Sequence, residues 1–80
     1  MKLYIKVFAS LRQKYPDIND LNPLTINIEK GTKIIDIIKL LDFTKDQVHL
    51  ILLNGHKASI DTSIEEDGSI LSLFPPIGGG

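Results

Sequence analysis

The amino-acid sequence predicts an α+β fold in which one main helix packs on one face of a mixed sheet of four to five strands. Two patterns predict it: apolar and polar residues alternate near both ends of the chain, and a segment between them repeats its apolar residues at helical spacing. The last strand, Ser69–Phe74, has apolar residues on both faces, so we expect it to lie centrally, beside and parallel to the first. A chain of 80 residues is long enough for one small domain with a marginal core.

The first two strands are predicted from alternation. Lys2–Phe8 has one aliphatic face. Its other face carries Tyr4, Lys6 and Phe8. A second alternating segment, Leu24–Ile28, is expected to pair antiparallel with the first. In the long connection between them, Ala9–Tyr15 favours a short helical turn anchored by Leu11, and Asp17–Pro23 has the composition of turns.

The main helix is predicted after this pair of strands. Lys30-Gly31 turns the chain, and Thr32 is the expected N-cap, since its hydroxyl can accept a hydrogen bond from a free first-turn N–H. The apolar residues that follow lie at i, i+3, i+4 and i+7 spacing, which indicates one stripe on a helix of about ten residues. They are Ile34, Ile35, Ile37, Ile38 and Leu41. Isoleucine is a modest helix former, so the helix depends on packing of this stripe.

A hairpin precedes the last strand. The connection Phe43–Asp46 leads to Val48–Leu53, which is almost continuously apolar and predicts a buried third strand. Asn54-Gly55 is the strongest hairpin signal in the chain, and Lys57–Ile60 is predicted to form a short fourth strand. Ile64–Gly68 is predicted to be an acidic, solvated turn. The last strand then places Leu71 and Leu73 on one face and Ile70, Ser72 and Phe74 on the other.

Composition argues against several classes of function. A net charge of −1 provides no basic field for nucleic acid. No apolar run approaches the ~20 residues of a membrane span and no signal peptide is recognised, so a cytoplasmic protein is expected. The chain has no cysteine, and therefore no disulfide or thiolate ligand. His49, in a strand-like run, and His56, in a turn, have no acidic partner at metal-ligand spacing, so no metal site is expected.

The C-terminal segment is the candidate reactive part of the chain. Pro75-Pro76 ends ladder hydrogen bonding after Phe74 and favours a stiff, extended exit. Ile77, Gly78, Gly79 and Gly80 follow. Glycine has no side chain, so this end can enter a slot that excludes larger residues, and it presents the α-carboxylate of Gly80. The alternative is a frayed terminus or an attached linker.

The sheet face away from the helix is a second candidate site. An apolar surplus on that face forms a candidate docking patch for another protein. Its predicted members are Tyr4, Phe8 and Phe74. The alternative is that these residues are merely partly buried.

Five short stretches carry a family resemblance. They are Phe8-Ala9-Ser10-Leu11-Arg12, Thr32 with the helix after it, Leu53-Asn54-Gly55, Asp67-Gly68-Ser69-Ile70 and Phe74-Pro75-Pro76-Ile77-Gly78-Gly79. In that order they resemble the Phe-Ala-x-Leu-Arg, Thr-Val, Val-Asn-Gly, Gly-Asp-Glu-Val and Phe-Pro-Pro-Val-x-Gly-Gly stretches of the MoaD/ThiS-type ubiquitin-like sulfur carriers. The MoaD branch, the small subunits of molybdopterin synthase, is the most similar, although Ser69 stands where an acidic residue is usual. The resemblance implies a ubiquitin-like β-grasp domain over residues 1–74 and a flexible tail over residues 75–80.

The resemblance also implies a chemistry centred on Gly80. A MoeB/ThiF-type adenylating enzyme would use ATP and magnesium to convert the carboxylate to an acyl adenylate. A sulfur donor of cysteine desulfurase or rhodanese type would then leave a thiocarboxylate. The chain would thread residues 75–80 into a MoaE-type large subunit and give its sulfur to a pterin precursor. It would bind no permanent cofactor and would not be catalytic alone, while Phe74, Phe8 and Tyr4 would contact partners.

Other fates of the tail stay open. The same chemistry can serve another acceptor, in thiamine thiazole, tRNA thiolation or cysteine synthesis. A ubiquitin-like modifier would instead join the Gly80 carbonyl to a lysine through an isopeptide bond. A binding module with an incidental tail is the remaining alternative.

Overall fold

The computed structural model of the chain describes residues 1–77, which form two sheets and one main helix. The strands are β1 (Lys2–Val7), β2 (Leu24–Asn27), β3 (Thr32–Lys33), β4 (Leu50–Leu53), β5 (His56–Ala58), β6 (Ser63–Ile64) and β7 (Ser69–Phe74). The main helix, α1, spans Ile34–Leu40, and a 3₁₀ helix, Ala9–Gln13, follows β1. The predicted α+β architecture is confirmed.

The large sheet has the strand order β2-β1-β7-β4-β5. Strand β1 pairs antiparallel with β2 and parallel with β7, and β7 pairs antiparallel with β4. The last strand is therefore central, beside and parallel to the first, as the sequence predicts. Because β7 has a hydrogen-bonded neighbour on each side, its backbone is fixed along its length.

One face of this sheet packs against α1 and holds the core. The most deeply buried side chains are Leu3, Ile5, Val7, Ile34, Ile37, Ile38, Ile64, Leu71 and Leu73. The faces assigned from alternation in β1 and β7 are confirmed. Burial of one such aliphatic side chain stabilises a fold by ~1.5–3 kcal/mol, so this cluster is the main source of stability.

Helix α1 begins differently from the sequence prediction. Thr32 is not its N-cap: Lys33 occupies that position and makes no side-chain cap hydrogen bond. The Thr32 hydroxyl instead donates to the carbonyl oxygen of Glu29 at 2.6 Å. The amides of the first two helical residues donate to carbonyl groups in residues 60–62, at 3.0 and 2.9 Å. A neighbouring loop therefore satisfies the donors that a capping side chain would have satisfied.

The helix is also shorter than predicted, with seven residues rather than about ten. Asp42, just beyond it, has a φ of 63°. This left-handed conformation lets the Phe43 amide donate to the Ile38 carbonyl at 3.1 Å. A left-handed residue with this bonding pattern ends a helix, and the sequence offers no glycine here to mark it.

The predicted hairpin at Asn54-Gly55 is confirmed. Both residues have positive φ, 53° and 82°, as a two-residue hairpin turn requires. His56 lies opposite Leu53 as the first residue of β5, so its assignment to a turn was wrong. His49 precedes β4, and both histidines are exposed.

A two-stranded sheet of β3 and β6 was not predicted. Thr32 pairs with Ile64, and Lys33 pairs with Ser63. The sequence prediction assigned Ile64 to a solvated turn, but its side chain is fully buried. Two-residue strands are too short for alternation to be detected, which explains the miss.

Candidate functional site

The end of β7 is held by hydrogen bonds on both sides. The Phe8 amide donates to the Leu73 carbonyl at 3.1 Å, and the His49 amide donates to the Phe74 carbonyl at 2.8 Å. Pro75 has no N–H, so ladder pairing stops after Phe74. Leu73–Phe74, the tail root, is therefore the fixed point from which the C-terminal segment departs.

Exposure rises beyond the tail root. Pro75 is half-buried, Pro76 is exposed and Ile77 is 92% exposed. The predicted reactive carboxylate, on Gly80, lies outside the described residues, as do Gly78 and Gly79. The described part of the tail is thus accessible to a partner and makes little contribution to the core.

Phe8 and Phe74 form a stacked pair at the tail root. Their ring centroids are 4.4 Å apart, the rings are within 4° of parallel, and both side chains are half-buried. The Arg12 guanidinium carbon lies 5.9 Å from the Phe8 centroid, and Arg12 Nε donates to the Val7 carbonyl at 3.2 Å. The stack connects the end of β1 to the tail root, and such pairs contribute ~0.5–1.5 kcal/mol beyond their burial.

Tyr4 lies on the same sheet face but outside this stack. It is opposite Ile70 in the parallel register, and the next row toward the tail is Lys6 opposite Ser72. A polar row therefore separates Tyr4 from the aromatic pair. Of the three predicted docking residues, the structure brings two together and places the third farther along the same face.

The sheet face opposite α1, termed the open face, carries positive charge. Lys6, Ser72, Leu52 and Lys57 are successive cross-strand partners, so both lysines share this face. Lys2 lies on it as well, because it is two residues from Tyr4 on the same strand. No acidic residue occurs in the described strands of this sheet. Asp20, from a loop, lies 3.6 Å from Lys6 Nζ.

Two hollows flank the prolines of the tail. The apolar hollow, of about 340 Å³, is lined by Ala9, Leu50, Phe74, Pro75, Pro76 and Ile77. The polar hollow, of about 390 Å³, is lined by Ser10, Leu11, Gln13, Lys14, Phe43, Gln47, Pro75 and Pro76. A larger hollow, of about 510 Å³, borders β2 and includes no tail residue. Pro75-Pro76 therefore forms a wall between two recesses at the tail root.

Sequence reasoning missed three residues of this region. Leu50 and Leu52 are half-buried on the open face, since they pair with Phe74 and Ser72. The almost continuously apolar run of Val48–Leu53 predicted only a buried strand, although apolar residues on both faces also indicate a second apolar surface. Ala9 has a φ of 52°, and no sequence signal marks that conformation.

The described residues provide neither a metal-binding group nor a membrane-spanning helix. Among residues 1–77, no three His, Cys, Asp or Glu side chains are grouped so as to hold a metal ion. Over the same range, no helix is long and apolar enough to cross a membrane.

The ThiS family matches residues 5–80 of the chain. This span includes the second half of β1, every later element, the tail root and the tail. No curated protein sequence matches the chain.

Solved structures share the fold at low sequence identity. SAMP1 from Haloferax volcanii is 21% identical with a TM-score of 0.73, and all of both chains is covered. A Pyrococcus furiosus protein assigned as molybdopterin converting factor subunit 1 is 23% identical with a TM-score of 0.71, over 96% of this chain and 99% of that one. A chain from the complex of subunits 1 and 2 of the Helicobacter pylori 26695 molybdopterin-converting factor is 23% identical with a TM-score of 0.62, over all of both chains.

The fold and the family match agree. The mixed five-stranded sheet with one helix is the ubiquitin-like β-grasp that the resemblance implies. The family match spans well over half of the chain and includes the segment that the geometry singles out. The chain therefore belongs to the ThiS family of MoaD/ThiS-type ubiquitin-like proteins.

Proposed function

We propose that the chain is a sulfur carrier and the small subunit of a molybdopterin synthase. Its Gly80 carboxylate is adenylated, converted to a thiocarboxylate and used to donate sulfur to a pterin precursor. The observation that carries the proposal is the tail root: β7 is paired on both sides up to Phe74, and the Pro-Pro step follows directly. Such a tail starts from a fixed point, and its described residues Pro76 and Ile77 are exposed.

The chemistry requires activation because a carboxylate is a poor acyl donor. Attack of the carboxylate oxygen on the α-phosphorus of ATP forms the acyl adenylate and releases pyrophosphate. Attack of sulfide sulfur on the acyl carbon then releases AMP and leaves the thiocarboxylate. ATP and magnesium belong to the adenylating partner, and this chain binds no permanent cofactor.

The chain contributes position rather than side-chain catalysis. The tail root fixes where the segment begins, and Pro75-Pro76 restricts its direction, so less conformational entropy is lost when a partner binds it. Gly78, Gly79 and Gly80 carry no side chains, so an enzyme can approach the backbone near the reacting carbon. Every step then takes place in a partner's site.

Three kinds of partner follow from this proposal. A MoeB/ThiF-type enzyme adenylates the tail, a cysteine desulfurase or rhodanese supplies sulfur, and a MoaE-type large subunit receives the tail. The Helicobacter pylori structure is a complex of subunits 1 and 2, which supports a large-subunit partner. The open face around Phe8 and Phe74, with Tyr4 farther along, is the proposed docking surface, and the cytoplasm is the proposed location.

A protein modifier is the second candidate. The likeness to SAMP1, which is a small archaeal modifier protein, favours it. In that role the activated Gly80 carbonyl forms an isopeptide bond with a lysine. A carrier for another sulfur acceptor remains compatible with the ThiS family match.

Mass spectrometry of the intact chain tests the proposal. The chain is incubated with ATP, magnesium, the adenylating enzyme of the same organism and a sulfide source, beside a control chain that lacks Gly79 and Gly80. Exchange of one oxygen for sulfur at Gly80 is expected only in the full chain. Transfer of that sulfur to a pterin precursor, with the large subunit present, identifies the pathway. Lysine conjugates without sulfur exchange would instead establish the modifier.

A further inference from the structure

The apolar hollow is built partly from the tail itself. One side consists of Pro75, Pro76 and Ile77, and the other consists of Ala9, Leu50 and Phe74 at the end of the sheet. A group seated there touches both the fixed sheet and the segment that must be held still during activation. The hollow is therefore placed to set the direction of the tail when a partner binds.

The backbone at the rim of this hollow is unusual. Ala9 is exposed and has a φ of 52°, a left-handed backbone conformation that residues other than glycine rarely adopt. Strained conformations of this kind concentrate at binding sites. Here the conformation turns the chain from β1 into the 3₁₀ helix and places Ala9 beside the tail.

Lysine and arginine side chains near the apolar hollow favour an acidic partner segment. The open face that continues from Leu50 and Phe74 carries Lys2, Lys6 and Lys57. The described strands of this sheet contain no acidic residue, and the loop residue Asp20 lies 3.6 Å from Lys6 Nζ. Arg12 is exposed beside the stacked pair. A segment that brings an apolar side chain into the hollow is therefore favoured when carboxylates flank that side chain.

We propose that the apolar hollow receives one branched aliphatic or aromatic side chain of the adenylating enzyme, from a segment in which carboxylates flank it. This inference rests on the proposed function, and it specifies a contact through which the enzyme holds the tail. The adenylating enzyme is the occupant because sulfur transfer to any acceptor and lysine conjugation all pass through adenylation. The contact fixes Pro75-Pro76 against the sheet while the carboxylate reacts.

Two leucine substitutions on opposite sides of the tail test the proposal. Ala9→Leu fills the apolar hollow, and Ser10→Leu adds a similar group to the polar hollow. Binding of each full-length variant to the purified adenylating enzyme of the same organism is measured by isothermal titration calorimetry at low and high salt. Circular dichroism confirms that each variant is folded.

The expected result is a Kd raised at least about tenfold by Ala9→Leu, as for loss of a central anchor, and changed less than about threefold by Ser10→Leu. Binding of the unaltered chain is also expected to weaken as salt rises. If Ala9→Leu fails to fold, Ile77→Asp replaces it, since Ile77 is 92% exposed and a carboxylate there repels the flanking acids. That variant is expected to show the same loss.

Two results would overturn the proposal. Equal binding by Ala9→Leu and the unaltered chain shows that the hollow stays empty, and equal loss in both leucine variants shows that bulk anywhere near the tail is harmful. The unaltered chain is tested for adenylation in parallel. If it is adenylated while Ala9→Leu binds normally, the hollow assignment fails and the proposed function stands. If it is neither bound nor adenylated, both fail.

Discussion

Asn54 connects the hairpin of β4 and β5 to the central strand. Its side-chain Oδ1 accepts from the Ile70 amide at 2.8 Å, and its Nδ2 donates to Ser69 Oγ at 3.3 Å. Its φ of 53° lies in the left-handed region, which asparagine tolerates better than alanine. Asn54→Ala therefore removes two hydrogen bonds and adds backbone strain at once.

The size of this effect follows from the three contributions. Each hydrogen bond contributes ~1 kcal/mol, and alanine in the left-handed region costs ~1 kcal/mol, so Asn54→Ala lowers the free energy of unfolding by ~3 kcal/mol. For a domain of this size each kcal/mol shifts the melting temperature by ~4–8 °C. The expected fall in melting temperature is therefore ~12–24 °C.

Urea denaturation of the purified variants measures the change in the free energy of unfolding, and thermal denaturation measures the change in melting temperature. Asn54→Asp is the matched control, since it keeps the acceptor for Ile70 and a side chain that tolerates positive φ. It loses only the donor to Ser69, so ~1 kcal/mol is expected. The reasoning is refuted if Asn54→Ala unfolds within ~0.5 kcal/mol of the unaltered chain, or if the aspartate variant is destabilised as much as the alanine variant.

Three further outcomes are expected from the contacts described above. A double-mutant cycle of Phe8→Ala and Phe74→Ala should give a coupling of ~0.5–1.5 kcal/mol in the free energy of unfolding, and additivity would show that the stack contributes nothing specific. Tyr15→Phe removes the hydrogen bond from its hydroxyl to the Leu41 carbonyl, 2.8 Å away, and should lower the free energy of unfolding by ~1 kcal/mol. An unchanged thermal transition would contradict that role. Ala9→Gly should be neutral or stabilising by up to ~1 kcal/mol, because relief of positive φ offsets the entropy of glycine, and clear destabilisation would contradict the strain assigned there.

Patterns with a defined period predicted most of the large sheet. Alternation in β1 and β7 correctly separated buried Leu71 and Leu73 from the open face, since the period of a strand assigns every residue once its boundaries are known. Asn54-Gly55 predicted its turn because few residue pairs adopt two successive positive φ values.

Features that depend on distant backbone could not be predicted in this way. Thr32 has the residue type of an N-cap. In the folded chain, however, the first two amides of the helix donate to carbonyl groups in residues 60–62. The β3–β6 pair depends on the same long-range approach. Alternation alone predicted that Phe8 and Phe74 share a sheet face. Their stacking could be predicted only from the register in which β1 and β7 pair.

The central place of β7 has a consequence for biosynthesis. A nascent chain that has reached residue 68 contains β1 with β2 and β4 with β5, but the strand that joins these two pairs is still missing. Separate two-stranded units are marginally stable at best in water, so the sheet closes only after Ser69–Phe74 has emerged. That strand ends in the tail root. Completion of the large sheet and placement of the tail root are therefore coupled, because both require β7 to pair with β1 and β4.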